Sequence, residues 1–83
     1  MNTPLAPADA EALAKALIKG EKLVTTDLDR AAATIADEAD CFPFYIHNIV
    51  GGLKRDGLRA EPDRIQELVQ RQLVDPNDPW ELA

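Results

Sequence analysis

Residues 37–57 read DEADCFPFYIHNIVGGLKRDG, and the proline inside this stretch decides the fold. A proline forces the residue before it out of the helical region, while its own fixed φ suits the first turn of a helix. Asp40-Cys41-Phe42 therefore ends one helix and Pro43 begins the next. From there Ile46, Ile49, Val50 and Leu53 recur at the three-and-four spacing of a helical face, and Phe44 is expected to face inward with them. Lys54 and Arg55 stand where a last turn favours cations, and Asp56-Gly57 stops the helix. Gly51-Gly52 inside it cost roughly 1.5–2 kcal/mol relative to alanine, which points to close approach of a neighbouring backbone or to fraying.

Upstream, the same periodicity predicts two more helices. Pro7 opens the first, Ala10, Leu13, Ala14, Leu17 and Ile18 form its face, and Gly20 ends it. Leu23 and Val24 in the connector are expected to tuck inward. Thr26 is the expected N-cap of the second helix, with Asp27 and Asp29 in its first turn. Its apolar set, Leu28, Ala31, Ala32, Ile35, Ala36 and Ala39, consists largely of small residues that let another helix come close.

Downstream, Glu61-Pro62 starts a fourth helix with a stripe of Ile65, Leu68, Val69 and either Gln72 or Leu73, and Asp75-Pro76 stops it. Asn77-Asp78-Pro79-Trp80 then offers a fresh cap, a first-turn proline and a large apolar residue, which is how a helix begins. No alternating strand pattern and no repeat interrupts the series. The expectation is an all-α bundle of four helices near 6–19, 27–39, 43–56 and 62–74. Its core holds Leu13, Leu17, Ile35, Ile46, Ile49, Val50, Leu53, Ile65, Leu68 and Val69. Residues 4–75 form the domain, and 76–83 begin a truncated fifth helix or a linker, in a chain that is a piece of something longer.

Composition narrows the function. A net charge of −6 opposes non-specific binding to phosphate backbones, which calls for clustered Lys and Arg. Cys41 is the only cysteine, so it can form no internal disulfide and fits a reducing cytoplasm. No apolar run approaches the roughly 18 residues of a membrane span. His47 is the only histidine, leaving no second imidazole or thiol pair for zinc, and the chain has no serine to act as a nucleophile. It also has no phosphate-cradling GxxxxGK[ST] loop. Asp37, Glu38 and Asp40 crowd a helix C-terminus, where the dipole disfavours them unless a cation approaches or water solvates them. No catalytic residue and no metal site is expected.

The layout as a whole resembles the helical lid subdomain that follows the nucleotide-binding core in AAA+ and STAND-class P-loop ATPases. Pro4-Leu5-Ala6-Pro7-Ala8-Asp9-Ala10 echoes the phrase that opens the first lid helix. Phe42-Pro43-Phe44-Tyr45-Ile46, with Leu53 and Gly57, matches the later part of the family's GxP turn phrase. Cys41 replaces the glycine, a departure that bears on the turn's shape because non-glycine residues tolerate positive φ poorly.

The resemblance implies a non-catalytic lid packed on the P-loop core of a parent ATPase, coupling nucleotide state to neighbouring domains. In such lids the turn proline packs against the adenine or ribose, so Pro43, with Phe42 and Tyr45, is the implied nucleotide wall. The fragment itself would bind no cofactor, and ATP or ADP with magnesium belongs to the parent. Phe44 and Tyr45 stand where many members carry a lid arginine, so phosphate sensing would come from elsewhere. Beside this stands the bland assignment of Phe42 and Phe44 to the core.

A second class also fits part of the pattern. Helix two, a short break, and a helix closing in Leu53-Lys54-Arg55-Asp56-Gly57-Leu58 are similar to a winged-helix or helix-turn-helix protein. Such a recognition helix needs basic or amide side chains near its start, and this one offers Phe44, Tyr45, His47 and Asn48. DNA binding therefore ranks second, and a protein-interaction module third.

Overall fold

The computed structural model describes residues 3–57 and 59–74. It contains α1 (Pro7–Gly20), α2 (Leu28–Glu38), α3 (Pro43–Arg55) and α4 (Pro62–Val74). Each boundary falls within a residue or so of the one that the prolines, caps and periodicity predict. Among the described residues there is no strand, only an isolated parallel bridge between Val24 and Arg59. The expected helix start at Pro79-Trp80 lies outside the described residues, as do the side chains of Gln72 and Leu73.

α1 and α4 each pack on both α2 and α3, which form the middle of the bundle. Ile18, Ile35, Ile46, Ile49, Leu53 and Ile65 are the largest fully buried side chains. The alanines of α2 serve the purpose expected of them: Ala31, Ala32 and Ala36 are buried, so α1 approaches closely. On α1 the face is rotated from the expectation. Ala10, Ala14 and Ile18 point to the centre, while Leu13 and Leu17 are only partly buried at its edge. The two leucines sit at the margin of a helix pair whose centre is lined mostly by alanine, with Ile18 and Ile35 the exceptions.

Two helix ends close by the same device. After α1, Leu23 N–H donates to the Ile18 carbonyl at 2.9 Å and Lys22 N–H to that of Lys19 at 3.1 Å. After α2, Cys41 N–H donates to Ala36 at 2.9 Å and Asp40 N–H to Asp37 at 3.1 Å. Both are Schellman closures, which require a left-handed residue just past the helix. That residue is Lys22 (φ 58) after α1 and Asp40 (φ 54) after α2. Gly20, expected as the stop, is still helical and lends no left-handed turn. Leu23 is buried as expected, but Val24 is 59% exposed, because its backbone is held in the bridge and its side chain points away.

The N-cap of α2 is Asp27, not Thr26: Asp27 Oδ1 accepts from Arg30 N–H at 3.1 Å. Thr26 has another partner. Its N–H and its hydroxyl both donate to Glu61 Oε1 at 3.2 Å, and the Thr25 hydroxyl donates to the same oxygen at 3.3 Å. With Ala60 N–H donating to the Val24 carbonyl at 2.8 Å, this ties the α1–α2 loop to the α3–α4 loop.

Candidate functional site

The α2–α3 turn and the first turn of α3 form a rigid corner. Beyond Asp40, Cys41 is also left-handed, at φ 62. A cysteine there carries a left-handed backbone conformation that glycine adopts freely. Cys41 is half-buried against the core, and its carbonyl accepts from Leu5 N–H at 2.8 Å, which straps the segment before α1 across the turn. Phe42 N–H donates to Ala39 at 3.1 Å, and Pro43 then starts α3.

Three of the four aromatic side chains in the chain lie at this corner, and none belongs to the fully buried core. Phe42, Pro43 and Tyr45 are half-buried. Phe44, expected to face inward, is instead 45% exposed. Its position on α3 falls off the Ile46-Ile49-Val50-Leu53 face, and the isoleucine core leaves no room for a ring. Tyr45 meets Phe44 edge to face with ring centroids 5.4 Å apart, and meets Phe42 in the same manner at 5.9 Å. Tyr45 also packs against the core. The assignment of Phe42 and Phe44 to the core does not hold.

Charge at the corner has one sign. Asp37 and Asp40 are exposed and Glu38 is half-exposed, and none of the three makes an ion pair with another described residue. They surround the C-terminal end of α2, whose carbonyls add to the negative potential. At the far end of α3, Lys54 Nζ lies 2.8 Å from Glu21 Oε1, and Arg71 of α4 pairs with Asp56.

His47 is exposed on α3. Asn48 is different, because its Nδ2 is buried without a hydrogen-bond partner. That withdraws the donor of the one amide side chain on α3 from base edges, although the residue as a whole is half-buried. Among the described residues no group of three or more His, Cys, Asp or Glu could hold a metal ion, and no helix is long and apolar enough to cross a membrane.

Sequence reasoning missed a concavity away from this corner. An open cleft of about 420 Å³ is lined by Thr26, Arg59, Glu61, Pro62, Asp63 and Arg64 at the start of α4. Its two guanidinium groups share the space with two carboxylates, and Glu61 already bonds Thr25 and Thr26. Only the pairing of the two loops creates it, and no periodicity foretells that. No protein-family model, no curated protein and no solved structure matches the chain.

Proposed function

We propose that this chain is a non-catalytic helical lid of a larger P-loop ATPase, packing over the nucleotide cleft and coupling nucleotide state to neighbouring domains. Phe42, Pro43 and Tyr45 form the apolar wall against which the adenine or ribose of ATP or ADP rests. The observation that carries this reading is that all three are half-buried: each is anchored at its base yet offers a surface, on a turn fixed by Cys41. A purine wants a flat apolar face, and a proline-stiffened helix start supplies one with little loss of entropy. The left-handed Cys41 is compatible with it, since a φ of 62 lies in the region that glycine adopts freely.

The lid contributes one wall only. Phosphate binding and magnesium belong to a P-loop core that this chain does not contain, so hydrolysis is the work of the parent. The test is calorimetric titration of ADP into the longer chain that this reading requires. Pro43→Ala and Tyr45→Ala each weaken binding about three- to thirtyfold, or roughly 0.7–2 kcal/mol of lost apolar contact. Unchanged affinity in both variants rules the wall out.

A further inference from the structure

The lid reading leaves Phe44 and the three carboxylates that precede it across the α2–α3 turn without a purpose, and they are poorly suited to a nucleotide. A phosphate brought to this side of the corner meets Asp37, Glu38, Asp40 and the negative end of α2. We propose that this side of the corner is a docking surface for a cationic, apolar segment of a partner protein. Phe44 is its apolar anchor, and Asp37, Glu38 and Asp40 are its counter-charges.

Among the described residues the fully buried core consists of isoleucine, leucine, valine and alanine, and of the three rings at the corner only Tyr45 packs against it. An 83-residue chain that places three of its four aromatics at one helix start, and keeps all three out of the fully buried set, is not using them for core volume. Aromatic side chains are enriched at the centres of interfaces, where a few of them dominate affinity. Edge-to-face contact with Tyr45 restrains the Phe44 ring, so little rotamer freedom remains to be lost when a partner covers it.

The charge selects the occupant. Unpaired carboxylates on the α2–α3 turn attract cations and repel anionic surfaces, which excludes nucleic acid and acidic lipid from this face. Arginine fits better than lysine, because a guanidinium stacks on an aromatic face and forks onto a carboxylate at once. The occupant is therefore a segment in which arginines alternate with leucine-like side chains.

The experiment uses the 83-residue chain, isotope-labelled for amide NMR, and a capped twelve-residue peptide of alternating arginine and leucine. Matched peptides carry lysine or glutamate in place of arginine. The arginine peptide shifts the amides of 37–48, binds more tightly than the lysine peptide, and loses affinity steeply with added salt; the glutamate peptide does not bind. Phe44→Ala weakens binding about tenfold, and Asp37→Asn with Asp40→Asn weakens it about three- to tenfold. Asparagine at 40 keeps the left-handed backbone accessible, so the fold is retained. Val24→Ala, which removes the other exposed large apolar side chain among the described residues, has no effect. Equal binding by Phe44→Ala and the unmodified chain overturns the proposal, as do shifts spread over acidic residues remote from the corner. ADP binding that survives Phe44→Ala but not Tyr45→Ala separates this surface from the nucleotide wall.

Discussion

Leu68 of α4 occupies the space that a side chain on Gly52 of α3 would need. A Cβ built on Gly52 would lie 2.6 Å from Leu68 Cδ2 and 3.0 Å from Cδ1, and Leu68 is only 6% exposed. The glycine is there for a neighbouring side chain, where the sequence suggested a neighbouring backbone or fraying. Its cost in helix propensity is offset by the closer seating of α4.

Gly52→Ala accordingly destabilises the bundle by about 1–2 kcal/mol, because overpacking outweighs the roughly 1 kcal/mol gained in propensity. Leu68→Ala costs about 2–4 kcal/mol through a core cavity. The double variant loses less than the sum, since the new methyl refills part of the void. Urea midpoints of the four proteins check this, and strict additivity would contradict it.

Gly51→Ala goes the other way. Its Cβ would meet only Arg55 Nη1, at an ordinary 3.7 Å, so the helix gains about 0.5–1 kcal/mol of stability. A drop in melting temperature would show that Gly51 has a role the packing does not reveal.

The link between the two loops rests on Glu61. Glu61→Ala removes the acceptor shared by Thr25 and Thr26 and costs about 1 kcal/mol. The Ala60 amide, which bonds the Val24 carbonyl, then exchanges its hydrogen faster than in the unmodified chain. Unchanged exchange at Ala60 would mean that the bridge holds without the carboxylate.

Lys15 Nζ lies 2.6 Å from Asp29 Oδ1, joining α1 to α2 at the surface. The hydrogen bond from Lys15, then its charge, holds the Asp29 carboxyl below its usual range, and the same two effects from Asp29 raise the Lys15 ammonium. The stability from Asp29 is present at neutral pH and is lost as pH falls through its lowered pKa. That from Lys15 is present below the usual lysine range and is lost as pH rises through its raised one. Asp29→Asn therefore lowers the melting temperature slightly at neutral pH and low salt. The difference vanishes in acid and in about 1 M salt; a difference that persists in high salt would point to a role in packing.

The helices were legible because prolines at 7, 43 and 62 mark three of the starts and isoleucine spacing marks the faces. Three features were not legible, each for a tertiary reason. The α1 face turned toward alanine because α2 lies close, which single-helix periodicity cannot sense. Thr26 lost the cap to Asp27 because Glu61, distant in sequence, bonds it. Phe44 reads as apolar and inward, yet it lies off the Ile46-Ile49-Val50-Leu53 face and is exposed. The crowding of Phe42, Pro43 and Tyr45 did mark the corner, since a helix start needs one proline and no aromatics.

The central claim is that this corner faces a nucleotide, and amide NMR of the isolated chain titrated with ADP tests it most directly. One apolar wall without phosphate ligands gives a dissociation constant of about 1 mM or weaker. The account predicts saturable shifts centred on Phe42 and Tyr45, reduced in Tyr45→Ala and in Pro43→Ala. Shifts confined to the arginine-lined cleft at 59–64, or no shift at about 20 mM ADP, would contradict it.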